Sequence, residues 1–125
     1  LFGLAPAPPE RCRVLELGCG DGGNLIPMAL GLPGSTFVGI DTAARAIGRG
    51  QAFVGALGLH NVTLEAGAIE DLAPAPGGYD YVIAHGVYSW VPAAVRDRLL
   101  AVCRAALAES GVAYVSYNAL PGGRV

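Results

Sequence analysis

The sequence predicts one α/β domain built on a doubly wound, mainly parallel five-stranded sheet, and three observations carry that prediction. Short β-branched or aromatic runs alternate with stretches of helical spacing along the chain. A glycine-rich segment closes the first strand and opens the first helix, and 125 residues leave room for a single domain. A parallel sheet is covered on both faces, so its strands are expected to read as nearly unbroken apolar runs.

The first such run is Arg13–Leu17 (RVLEL), followed by a short helix over 24–30. Pro27 is tolerable there because it falls in the first turn, where amides have no partner within the helix. Residues 36–40 (TFVGI) form the second strand. Behind Thr42 as N-cap, Ala43, Ile47, Gly50, Val54 and Leu57 recur every three or four residues and predict the second helix. Residues 62–65 (VTLE) are the third strand and 79–84 (YDYVIA) the fourth, joined through the Pro/Gly-rich stretch LAPAPGG at 72–78. Pro92, a good first helical residue, precedes Val95, Leu99, Val102 and Leu107 at helical spacing; residues 112–117 (VAYVSY) complete the sheet. Right-handed crossovers between consecutive strands follow from this order.

Composition excludes several classes. Apolar residues make up 53% of the chain and charged ones 14%, against roughly 25% in soluble domains. With 19 glycines and 9 prolines much of the rest is small, so the core is expected to be thin. No apolar run approaches the roughly 18 residues of a membrane span, and the first nine residues do not read as a signal peptide. The net charge is −2, and the arginines lie in scattered pairs rather than a stripe, so neither a membrane nor a nucleic-acid partner is expected. Cys12, Cys19 and Cys103 form no CxxC pair and leave one over, as reduced thiols of a cytoplasmic protein would. Two isolated histidines, His60 and His85, do not make a metal site.

The chemistry concentrates in VLELGCGDGGN, residues 14–24. Glycines between a strand and a helix let main chain approach a ligand closely, because no Cβ intervenes and positive φ is accessible. Gly18, Gly20 and Gly23 have the GxGxxG spacing, and Asp41 ends the second strand, where an acid accepts ribose hydroxyls. That combination points to a nucleoside-containing ligand. Glu16, two residues before the first glycine, chooses among nucleosides. An anion there repels pyrophosphate and favours an ammonium or a sulfonium, which suits S-adenosylmethionine better than NAD.

ELGCGDGGN with GIDTA resembles the first two motifs of the seven-strand, Rossmann-like S-adenosylmethionine-dependent methyltransferases. YDYVIAHGVYSWVP (79–92) and YVSYNALPGG (114–123) look like a narrower bacterial group, the methyltransferases carrying a methyltransferase regulatory domain. Some members of the wider group methylate protein lysines, so the acceptor implied is a protein lysine or a small molecule. The resemblance puts Glu16, Gly18 and Gly20 around the methionine part of the cofactor and Asp41 on its ribose, while Cys19, in the loop between the glycines, is expected to fill a small space beside the cofactor. Asn24 is either a polar contact to the methionine end or simply a helix-start residue; Thr42 either flanks the ribose or only caps the second helix. Ala68 and Ile69 fall where the adenine rests, although many relatives have an acid at the place of Ala68. Ala84 and His85 close the fourth strand on the side from which the methyl group leaves, His85 as general base or as polar lining. Tyr88 and Asn118 are expected to face the acceptor, and Gly123 stands where the family carries Trp.

An in-line methyl transfer needs positioning and desolvation more than a covalent nucleophile, which agrees with the absence of an evident nucleophile in the motifs. Two other functions compete: an NAD-dependent oxidoreductase, and a non-catalytic module that binds the cofactor or a partner. Seven-strand relatives continue past the fifth strand with an antiparallel pair. On that pattern residues 1–125 are the N-terminal and core part of a truncated domain, and self-association through the bare fifth-strand edge is expected.

Overall fold

A computed structural model of the chain describes residues 7–68, 78–85 and 93–116. Five strands form one parallel sheet: β1 (Arg13–Leu17), β2 (Thr36–Asp41), β3 (Val62–Ala66), β4 (Tyr79–His85) and β5 (Leu107–Ser116), in the spatial order β3-β2-β1-β4-β5. Strand order reverses between β1 and β4. In parallel α/β sheets the crevice beyond the carboxyl ends of the strands at such a reversal is where ligands bind.

Among the described residues three α-helices cover the sheet, α1 (Leu25–Gly31), α2 (Ala44–Leu57) and α3 (Ala93–Ala106). Their two sides define two cores. Val14, Leu25, Ile26, Ala29, Phe37, Ile47 and Leu64 pack together where α1 and α2 lie, while Leu15, Leu17, Ile40, Val82, Val102 and Cys103 pack with α3. The alternation along β1 feeds both, with Val14 on one face and Leu15 and Leu17 on the other. Glu16 shares Val14's face by the same alternation and pairs in register with Gly39 of β2 and Ile83 of β4.

Polar groups tie the sheet together at the end away from the glycine loop. Asp80 accepts three hydrogen bonds from Arg13, from its amide at 2.9 Å, Nε at 3.1 Å and Nη2 at 3.1 Å. Ser35, fully buried, accepts from the Cys12 amide and donates to the Pro9 carbonyl. The Asn61 side-chain amide shares its two N–H groups among the carbonyls of Ala29, Leu32 and Ser35, the first of them an acceptor that the end of α1 leaves open. Gly58 closes α2 in the left-handed conformation, its amide and that of Leu59 bonded back to Gly55 and Val54.

Several expectations need correction. Strands β2, β3 and β4 each run one residue past the expected end. Leu107 belongs to β5, where it pairs with Tyr79, and not to the preceding helix. A register irregularity follows before Tyr81 pairs with Val112, and at Gly111 beside it a Cβ would lie 2.8 Å from Leu107 Cδ2. An isolated apolar residue at a helix–strand junction fits either period, so spacing alone cannot place it. On α2 only Ile47 and Gly50 are buried; Leu57 is 40% exposed, as is Phe53 at 55%. Thr42 does not cap this helix. The N-cap is Ala43, whose amide is taken by Asp41 Oδ1 at 2.8 Å. A carboxylate two residues back forms this turn without help from the intervening hydroxyl. The 72–77 stretch and Pro92 lie outside the described residues.

Cys12, Cys19 and Cys103 are free and buried. Among the described residues no helix is long and apolar enough to cross a membrane.

Candidate functional site

The site is assembled at the carboxyl ends of β1, β2 and β4 from a loop whose shape is dictated by three left-handed glycines. Gly18, Gly20 and Gly22 have φ of 80°, 59° and 85°. The GxGxxG template points to Gly23, but the residue that needs to be glycine is its neighbour. Gly23 has ordinary φ, whereas a Cβ on Gly22 would come within 2.9 Å of Leu64 Cδ1 and 3.0 Å of Ile26 Cδ1. Two adjacent glycines in GDGG hide this distinction from the sequence.

Main-chain bonds hold the loop to β2. The amides of Gly18 and Cys19 both donate to the Ile40 carbonyl, at 2.7 and 3.1 Å, and the Gly22 amide closes a turn onto Cys19. Asp41 provides the side-chain anchor. Its Oδ2 accepts from the Gly20 amide at 2.8 Å while Oδ1 holds Ala43, so one carboxylate fixes both the loop and the start of α2. Each oxygen keeps a further acceptor position. Above Gly20 there is open space, with no atom within 4 Å of where a Cβ would be. The loop therefore presents bare main chain to that space, a surface that a flat or charged ligand can approach closely.

Glu16 lies under the loop with 2% of its surface exposed, and its Oε2 accepts from Asn24 Nδ2 at 3.0 Å. Asn24 stands immediately before α1 as its N-cap residue, but its side chain makes no capping bond and turns to Glu16 instead. Cys19 turns inward. The residue is 7% exposed and its thiol packs where Gly39 has no side chain, since a Cβ on Gly39 would sit 2.6 Å from the sulfur. Burial pushes that thiol up to about 12, with Glu16, Asp41 and Asp21 pushing in the same direction. The sulfur thus stays protonated at neutral pH.

The remaining expected site residues divide. Ala68 is partly buried just beyond β3, and the neighbouring Gly67 amide bonds to the Asp41 carbonyl. Thr42 is exposed beside Asp41. Ala84 is fully buried in the core on the α3 side, so its methyl group is packing. His85 ends β4 opposite Ser116 of β5. Its side chain, together with Ile69, Tyr88 and Asn118, lies outside the described residues, as does Gly123. His60 is an exposed turn residue, and among the described residues no cluster of potential metal ligands occurs.

A parallel sheet in this order, with a left-handed glycine loop after its first strand and an acid at the end of its second, has the architecture of a nucleotide-binding α/β domain. Within that class the chain belongs to the methyltransferase domain family, whose model matches residues 15–113. It is similar to the solved PKMT2 of Rickettsia typhi in complex with AdoHcy, with a TM-score of 0.86 and 42% identity over 96% of this chain and 23% of that one. The uncharacterised protein RP789 of Rickettsia prowazekii is 46% identical over 122 residues, 98% of this chain and 22% of its own length. A trans-aconitate 2-methyltransferase of Deinococcus radiodurans is 32% identical over 89% of this chain and 40% of its own. The chain thus spans between about a fifth and a half of the length of the curated relatives it matches.

Proposed function

We propose that the chain is the cofactor-binding part of an S-adenosylmethionine-dependent methyltransferase acting in the cytoplasm on a protein or small-molecule acceptor. The observation that carries this is the pair of carboxylates at the glycine loop, Glu16 buried beneath it and Asp41 bonded to Gly20, with Asp21 adding a third negative charge nearby. A pyrophosphate brought to this loop meets like charge, whereas an ammonium and a sulfonium are drawn in. The similarity to a protein solved with AdoHcy supports the same ligand here.

S-adenosylmethionine supplies a methyl group on a positive sulfur, so that in-line attack by a nucleophile releases a neutral thioether. The chain's own residues then have positioning roles. Gly18 and Gly20, the latter facing open space, let main chain lie close to the methionine end, with the main chain of Cys19 between them. Glu16, oriented by Asn24, holds the positive end. Asp41 uses its remaining acceptor positions for the ribose hydroxyls, and Thr42 flanks the same sugar. Ala68 and Ile69 border the adenine; Ala84 and His85 mark the side on which transfer occurs, with Tyr88 and Asn118 toward the acceptor.

Calorimetric titration of the folded chain with AdoHcy tests this reading. Binding is expected for AdoHcy and none for NAD, and a folded sample that takes up no AdoHcy would overturn it. Transfer of radiolabelled methyl groups to lysate proteins or small molecules then separates an enzyme from a binding module.

A further inference from the structure

From the packing beneath the glycine loop we infer that Gly50, in the middle of α2 and outside the residues that meet the ligand, is a positioning residue that sets the height of this loop. Glycine inside a helix is unfavourable by propensity, since it forfeits conformational entropy without adding packing. Gly50 is buried, and its bare Cα receives the loop. A methyl group there would collide with the Asp21 carbonyl oxygen and with Leu64 Cδ1, and would lie 2.9 Å from the Asp21 carbonyl carbon. A carbonyl flanked by two left-handed glycines cannot turn aside as the tip of a flexible side chain does, so the main chain of residues 20–22 must move. The same Leu64 methyl also touches the Cα side of Gly22, so loop, α2 and β3 meet at one point. From the other side the loop is tied by Asp41 to Gly20. Displacing Asp21 while that bond holds tilts the very main chain that faces the open space above Gly20.

Gly48 and Gly55 on the same helix provide the control, because nothing lies within 4 Å of a Cβ on either. The inference rests on the cofactor reading above, and the experiment keeps the two apart. The full chain, Gly48→Ala and Gly50→Ala are compared by AdoHcy titration well below their melting temperatures, with amide chemical shifts of Gly18–Gly23 read in parallel. Gly50→Ala is expected to move the loop amides and weaken AdoHcy binding by about tenfold or more, the cost of overpacking expressed as affinity. Gly48→Ala is expected to raise the melting temperature and leave loop shifts and affinity unchanged. Should Gly50→Ala not fold, the double variant Gly50→Ala/Leu64→Ala removes the side-chain collision and keeps the one with Asp21. Wild-type affinity in a folded Gly50 variant overturns the inference alone. Failure of the unmodified chain to bind AdoHcy overturns the cofactor reading and the inference with it.

Discussion

Glu16 is a carboxylate with 2% exposure in a domain where most buried groups are apolar, and burying a charge costs free energy that packing does not return. Holding the positive end of the cofactor, the role proposed for Glu16, would offset that cost. Glu16→Gln keeps the volume and an oxygen that accepts from Asn24 Nδ2, removes the charge and turns the second carboxylate oxygen into an amide donor. The melting temperature is expected not to fall, whereas AdoHcy affinity should drop about 10- to 100-fold, the range for hydrogen bonds to charged groups. Paired thermal denaturation and calorimetry would decide it; a loss of stability without loss of affinity would assign Glu16 to the fold. Residue identity also explains why Cys19 is poor chemistry, since its thiol is held protonated by burial and by three carboxylates.

Among the elements, β1 and β4 are joined at their amino ends by Asp80, whose carboxyl is held below the usual carboxylate range chiefly by its side-chain hydrogen bonds with Arg13, against an opposing effect of burial. Because the folded value is depressed, the stabilisation is fully present above the ordinary carboxylate value of about 4 and is lost as pH falls through the lower folded value. Asp80→Asn is expected to cost about 1–3 kcal/mol at pH 7, chiefly through hydrogen bonds, since the half-exposed Arg13 side chain limits the Coulombic part. Thermal melts between pH 7 and pH 3 should show the gap between wild type and variant closing on acidification. AdoHcy affinity should not change, because this clamp lies at the opposite end of the strands from the glycine loop.

For the molecule as a whole, β5 is an edge strand of the described sheet, and Val112 on it is 39% exposed. An exposed edge offers unpaired amides and carbonyls to another chain. Sedimentation velocity over a range of concentrations is expected to reveal self-association, and substitution of Val112 by Lys should reduce it; a concentration-independent monomer would exclude association by this route. The two cores also differ in their relation to the site. The one under α1 and α2 reaches the glycine loop through Leu64, Gly22 and Gly50, so packing changes there are expected to alter AdoHcy affinity, while those on the α3 side are expected to act on stability.

Much of this was legible in the residues themselves. Strand–helix alternation is a local pattern of period 2 or 3.6, which is why the order of strands and helices and most of their bounds fell close to where spacing put them, β5 alone beginning five residues early at Leu107. Glu16, the glycine loop and Asp41 were legible because their residue types are unusual for a buried strand and its carboxyl end. Where several residues fit one local pattern, the chain alone could not choose: Thr42 or Asp41 at the start of α2, Gly22 or Gly23 in the loop, Leu107 in helix or strand. Those choices depend on atoms distant in sequence. Tertiary structure decided them because Leu64 leaves no room beside Gly22, Tyr79 takes Leu107 into the sheet, and Asp21 can rest on α2 only where residue 50 has no side chain.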